Sequence, residues 1–289
     1  MANIKYVSSE GVEFNLLNFD YAKLYKADFH NVSWQPETIS KQYGTVLNRW
    51  TKEAQQFSCT FRFKGSYEKR KTQIDNFIFQ TERDIARKTP GRIYWNEQYI
   101  DCFFNSHDTA PVDDGQNWTE ITGTFYAPYP FWILEQTLII RPSEASTSGL
   151  PENVKGYPED REFVYGYEYA YPYARNAIYI DVDSPLESDF KAVIYGPATK
   201  AQFNIAGHNY EVDYPLRYGQ VMIIDSRDQT PTSKKCYVIS SNGSETNVFN
   251  YRVPNSLLFK KIPSGNVVLN YTRNFGIDLT IFQERSAPN

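Results

Sequence analysis

His30, His107 and His208 are the three histidines of the chain, and Cys59, Cys102 and Cys236 its three cysteines. A metal centre built from one turn or hairpin needs such donors a few residues apart, and none of these six stands at ligand spacing from another. The odd cysteine count, without a Cys-x-x-Cys pair, is a poor disulfide framework and suits assembly in a reducing cytoplasm. The nucleophile signature Gly-x-Ser-x-Gly is missing, and so are the glycine-rich phosphate loops Gly-x-Gly-x-x-Gly and Gly-x-x-x-x-Gly-Lys-Ser/Thr.

Paired carboxylates are the minimal kit for glycoside hydrolysis, and Asp113-Asp114, Asp181/Asp183 and Glu159-Asp160 are the local pairs. Asp113-Asp114 falls in a Pro/Asp/Gly turn, where aspartate bonds its own backbone. Asp181 and Asp183 share a face at the end of a strand, just before Ser184-Pro185. All three pairs read as solvated turn acids, so no catalytic residue, metal ligand or cofactor site is expected. The strongest local pattern is aromatic. Tyr165, Tyr167, Tyr169, Tyr171 and Tyr173 recur at every second residue, which puts all five rings on one side of an extended segment. Such a row is a sugar-stacking platform, a protein contact, or a strand laid over the domain's own core.

The elements that would carry these residues are mostly strands. Phe57, Cys59, Phe61 and Phe63 alternate with polar neighbours, a period of two. The period then changes: Ile74, Phe77, Ile78 and Ile85 make a stripe at helical spacing. The helix is expected over about 67–88, starting at Ser66 or at Thr72, and it stops at Pro90-Gly91. Strands follow at Arg92–Trp95, Tyr99–Phe104 and Thr119–Tyr126, and the prolines of Ala127–Trp132 then break regular structure. Residues 141–160, rich in Pro, Ser, Gly and Glu, read as a linker or surface loop between domains 1–140 and 161–289. Beyond it lie short strands at Ala177–Val182, Lys191–Tyr195, Gln202–Ile205, Tyr210–Asp213, Gln220–Asp225, Cys236–Ile239, Thr246–Tyr251, Val267–Tyr271 and Ile277–Gln283. Gly196-Pro197, Gly207-His208, Asn242-Gly243 and Ser264-Gly265 punctuate them. That rhythm predicts a β-sandwich or jelly roll with no helix after Asp160.

Composition agrees. With 23 Tyr and 19 Phe among 289 residues the chain favours pleated surfaces and protein interfaces. A formal net charge of -4 gives no footprint for sequence-specific nucleic-acid binding. The N-terminus shows no basic-then-apolar leader, and no apolar run approaches the ~20 residues that cross a bilayer, so neither export nor a membrane contact is expected.

Several stretches, in order, resemble the distal tail protein (Dit) family of phages with long non-contractile tails. In the first half these are FSCTFRF (Phe57–Phe63), the helix Tyr67–Lys88, PGRIYW (Pro90–Trp95) and TEITGTFYAPYPFW (Thr119–Trp132). In the second half they are IYGPATKAQFNIAG (Ile194–Gly207), LRYGQVMIID (Leu216–Asp225), SLLFKKIPSGNVVLNY (Ser256–Tyr271) and GIDLTIFQERSAPN (Gly276–Asn289). Gln220 stands where the family carries an acid. The resemblance implies a mainly β chain: an N-terminal, β-rich, tube-like domain with one helix that closes into a hexameric ring, then a C-terminal galectin- or carbohydrate-module-like β-sandwich. It implies a virion tail tip assembled in the host bacterial cytoplasm. There the ring would contact further copies of itself, the major tail tube protein, the tail-tip hub and the tape-measure protein, and would dock receptor-binding proteins while DNA passes through its lumen. A carbohydrate- or receptor-binding tail protein is the second reading. A tail-tip hydrolase is the third, and the missing carboxylate pair or His/Cys cluster speaks against it.

Overall fold

The alternation at Phe57–Phe63 belongs to a strand of ten residues, Gln55–Lys64, in which Phe57, Cys59, Phe61 and Phe63 are all buried. This computed structural model describes residues 3–17, 21–110, 115, 117–142, 177–228, 235–271 and 274–289. It divides into two units, Met1–Glu135 with Glu284–Asn289, and Gln136–Gln283.

The first unit contains β1 (Ile4–Val7), β2 (Glu13–Asn15), β3 (Lys23–Ala27), β4 (Gln35–Ser40), β5 (Thr45–Thr51), β6 (Gln55–Lys64), α1 (Tyr67–Arg87), β7 (Gly91–Trp95), β8 (Gln98–Thr109), β9 (Trp118–Ala127) and the start of β10 (Trp132–Ile140). Seven strands pair antiparallel in the order β2-β1-β7-β8-β9-β6-β3. The long β8 serves two neighbours: Gln98–Cys102 pair with β7, and Phe103–Thr109 with β9. The helix closes the core from inside, because Phe77 meets the rings of Tyr6, Phe14, Phe61, Phe63 and Phe104 at 5.3–6.4 Å.

Helix α1 starts where Ser66 can cap it: the serine hydroxyl accepts from the Lys69 N–H at 3.4 Å. It ends at Lys88, whose left-handed φ of 55° turns the chain before Pro90. The expected apolar stripe needs one correction. Ile74 and Phe77 are buried and Ile78 partly so, but Ile85 is exposed and its neighbour Asp84 points inward with no exposure at all. Asp84 is held there by the Tyr6 hydroxyl at 2.5 Å and by the N–H and hydroxyl of Ser9 at 2.9 and 2.6 Å. Those partners come from the first strand and the loop after it, so no helical period could reveal them.

The second unit contains the rest of β10, then β11 (Ala177–Val182), β12 (Asp189–Tyr195), β13 (Ala201–Ile205), β14 (His208–Val212), β15 (Val221–Asp225), β16 (Lys235–Ile239), β17 (Glu245–Asn247), β18 (Gly265–Tyr271) and β19 (Gly276–Arg285). One sheet runs β17-β16-β15-β12-β19 with β10 beside β19, and a four-stranded sheet runs β11-β18-β13-β14. Inward residues of both, among them Phe190, Ile194, Phe203, Tyr210, Ile224, Leu269 and Leu279, make one core. This is a two-sheet sandwich. Turns need backbone freedom at the predicted places: Ala206 and Gly207, with φ of 51° and 79°, close the β13–β14 hairpin.

Two further differences appear. The expected strand Thr246–Tyr251 is β17 followed by a 3-10 turn at Phe249–Tyr251, so a helical turn does follow Asp160; the Asn247 carboxamide accepts from the Phe249 N–H at 2.9 Å and starts it. Trp132, read as part of a break, opens a nine-residue strand, β10, because the prolines before it lie outside the ladder. The unit division falls inside β10, at Glu135/Gln136. Glu284–Asn289 group with the first unit: the Asn289 N–H donates to Gln98 at 2.9 Å, and the Tyr129 hydroxyl donates to Glu284 at 2.6 Å.

Candidate functional site

The residues singled out for chemistry are not brought together. His30 packs edge-on against Trp95, His107 stacks on Phe104, and His208 meets Tyr210 edge-on. Cys59, Cys102 and Cys236 are free, buried thiols; burial pushes all three up, Cys236 to about 12, which keeps them protonated and unreactive at neutral pH. Asp181 and Asp183 are exposed at the end of β11. Ser-x-x-Lys spacings do occur at Ser66/Lys69 and Ser188/Lys191. The first is the helix cap; in the second, an extended chain turns residues three apart to opposite faces. Among the described residues no cluster of His, Cys, Asp or Glu could hold a metal ion. Tyr165, Tyr167, Tyr169, Tyr171, Tyr173, Asp113-Asp114 and Glu159-Asp160 lie outside the described residues.

What the first unit does present is an arm. Strands β4 and β5 pair with one another in a sheet of two, and every residue from Gln35 to Trp50 is exposed. Gly44, at a φ of 80°, closes its tip, where the Lys41 N–H donates to the Gly44 carbonyl at 2.9 Å. Register sets the two faces: Ile39 lies opposite Val46, Thr38 opposite Leu47, Pro36 opposite Trp50. Ile39, Val46 and Leu47 are about half exposed, Trp50 55% and Tyr43 88%. A bulge between Glu37 and Thr38 sets the twist, and Glu37 pairs with Arg49, whose guanidinium holds the carboxyl below its ordinary range. At about 3.3 Å per residue, the six residues of β4 reach about 20 Å.

The arm is fixed at its root. Lys52 donates to the Pro130 carbonyl at 2.5 Å and lies over the rings of Phe131 and Trp34 at 4.5 and 5.7 Å. Trp34 in turn meets Phe131 edge-on at 6.0 Å. Partial burial lowers the Lys52 amine to about 8. The connection between β9 and β10, residues 128–131, is thus the socket that aims the arm. The arm was invisible in the sequence, because a hairpin exposed on both faces shows no alternation of apolar and polar residues.

A second surface lies along β3, which among the described residues pairs with β6 as a strand and on its other side donates the Leu24 N–H to the Leu16 carbonyl at 2.8 Å. Next to it the Arg62 guanidinium sits between the rings of Tyr25 and Trp118, at 3.5 and 4.9 Å, and is bound to Glu120 at 2.5 Å. This ladder of side chains crosses β3, β6 and β9 on the solvent side.

No family model and no curated protein matches the sequence. Solved structures do. The SPP1 Dit protein, described as a paradigm of the hub adsorption apparatus in phages that infect Gram-positive bacteria, superposes with a TM-score of 0.59 over 99% of both chains at 11% identity. The chain has the Dit fold. A chain of the phage P2 baseplate in its activated conformation with calcium matches at TM-score 0.60, 11% identity and 100% of both chains. The corresponding structure with strontium gives 0.61 and 12%, again over the full length of both. At such identities the likeness speaks for the fold, and it covers both units.

Proposed function

We propose that this chain is a distal tail protein, a structural component of a phage tail tip and not an enzyme, whose first unit joins copies into a closed hexameric ring. The observation that carries the reading is the arm. An isolated two-stranded hairpin is marginal in water, and this one offers apolar side chains on both faces while its root is clamped. A second copy that covers it would bury the exposed half of Trp50, Leu47, Ile39 and Val46, worth about 1 kcal/mol each, half the value of a full transfer from water. Contact of one copy's arm with a different surface of the next is head-to-tail and closes by rotation. The full-length likeness to the SPP1 Dit protein and to a chain of the phage P2 baseplate supports the same reading.

In this role the ring extends the tail tube, contacts the tape-measure protein and the tail-tip hub, and offers its second unit for receptor-binding components. Its location is the virion tail tip, reached after assembly in the bacterial cytoplasm, and DNA passes through the lumen. The test is native mass spectrometry and negative-stain imaging of the whole chain beside a variant in which residues 38–47 are replaced by a short Gly-Ser turn. Six-membered rings for the chain and monomers for the variant are expected. A chain that stays monomeric at high concentration, or a variant that still forms rings, overturns the proposal.

A further inference from the structure

In the four-stranded sheet of the second unit, alternation sends Ile180, Phe203, Tyr210 and Leu269 into the core and leaves the intervening residues on the outer face. On that face three asparagines stand abreast: Asn204 of β13 is in register with Asn209 of β14 on one side and with Asn270 of β18 on the other. One step along, Gln202 lies opposite Glu211. On the β11 side, Tyr179 lies opposite Val268 and Asp181 opposite Asn266.

Asparagine is disfavoured in strands, since its short amide competes for local backbone groups. A solvated sheet face needs only polarity, which threonine, serine or lysine supplies with better strand propensity. The amides are also organised. Lys200 donates to one oxygen of Glu211 at 2.7 Å, and Asn209 donates to the other at 2.8 Å. Asn204 uses its carbonyl oxygen to accept from the Gly207 N–H at 3.0 Å, which leaves its NH2 group as a donor. Among the described residues the Asn270 carboxamide has no bonded partner, so both its donor and its acceptor are available. Lys200 and Glu211 neutralise one another. At the margin, the Tyr179 ring is 71% exposed.

We infer that this face binds a neutral glycan, with Asn204 and Asn270 bonded to sugar hydroxyls, Asn209 held between Gln202 and Glu211 beside them, and Tyr179 stacked on a pyranose ring. Carboxamides both donate and accept, as neighbouring hydroxyls do, and the ladder repeats them across the sheet at about 4.8 Å. A flat apolar ring beside them matches the C–H face of a sugar. The alternative occupant, a protein, is recognised by patches with an aromatic or apolar centre and a polar rim, whereas here the centre is amide and the aromatic lies at the edge. The inference does not rest on ring assembly.

The test is binding of the whole chain to an array of neutral and acidic polysaccharides, with hits titrated by calorimetry. The variants are Asn204→Ala with Asn270→Ala, Tyr179→Ala, and Thr280→Ala on the other sheet as a control. Expected is binding to at least one neutral glycan, weakened at least tenfold in the double variant and at least threefold in Tyr179→Ala. The control should bind as the parent does, and melting should confirm that all variants fold. If the double variant fails to fold, loss of binding in Tyr179→Ala alone decides. No binding to any neutral glycan, binding confined to acidic glycans and abolished by salt, or binding unchanged in the folded variants overturns the inference.

Discussion

The Tyr6 hydroxyl donates to the Asp84 carboxylate at 2.5 Å with both side chains fully buried, tying the first strand to the last turn of the only α-helix among the described residues. Asp84 also accepts from the Ser9 N–H and hydroxyl, so one carboxylate satisfies three donors. Asp84→Ala would leave all three without their partner and is expected to destabilise the first unit by about 3–5 kcal/mol. Tyr6→Phe, which removes one donor and keeps the ring, should cost about 1–2 kcal/mol. Urea midpoints of the two variants check the order; equal losses would refute it.

Gly123 of β9 lies against Phe104: a Cβ added there would sit 2.3 Å from the ring tip and 2.7 Å from the Ser106 carbonyl oxygen. The ring can rotate but the backbone oxygen cannot easily retreat. Gly123→Ala is therefore expected to cost at least about 1–3 kcal/mol, read as a lower thermal midpoint. Adding Phe104→Leu should recover only part of the loss.

At the arm, Trp50→Ala should leave the monomer's stability within about 0.5 kcal/mol, since the ring is mostly solvated there. In the proposed ring the same change should weaken each interface by about 2 kcal/mol, near thirtyfold in dissociation constant. Sedimentation velocity over a concentration series separates the two effects. A Trp50→Ala protein that assembles like the parent would count against the arm as the contact.

Alkaline pH should unfold the second unit through Cys236. Its thiol titrates near 9 in the unfolded chain and is pushed up to about 12 by burial in the folded one. Between those values the folded state holds a proton that the unfolded state has lost. This contribution to stability is whole below pH 9 and falls as pH rises to 12, at up to about 1.4 kcal/mol per pH unit. Lys52, lowered to about 8, contributes with the opposite sign in the first unit, so the comparison must be between the parent and Cys236→Ala. Urea titrations at pH 8, 9 and 10 should show a shallower decline in the variant.

Much of the fold follows from local physics that the sequence displays. The strands of the sandwich sit between turns whose glycines need positive φ, and the helix lies between a serine cap and a proline stop. Their residue patterns are local, so they were readable. Strands β1, β2, β4 and β5 were not, for two reasons. The short β1 and β2 owe their burial to partners such as Phe77 and Phe125, far along the chain. The arm strands β4 and β5 contribute no residue to the buried core. Likewise Asp84 reads as a solvated helix acid until Tyr6 and Ser9 are placed beside it. The asparagine row is legible only once register aligns Asn204, Asn209 and Asn270, which are dispersed in the sequence. The tyrosine row Tyr165 to Tyr173, the most visible pattern in the sequence, lies outside the described residues.

Because Glu284–Asn289 return to the first unit, the second is an insert, entered within β10 at Glu135/Gln136 and left within β19 at Gln283/Glu284. A single protease nick inside the insert would leave both fragments attached to the parent body. Exchange of this module between relatives by recombination would require two in-frame crossovers, each landing in the middle of a hydrogen-bonded strand.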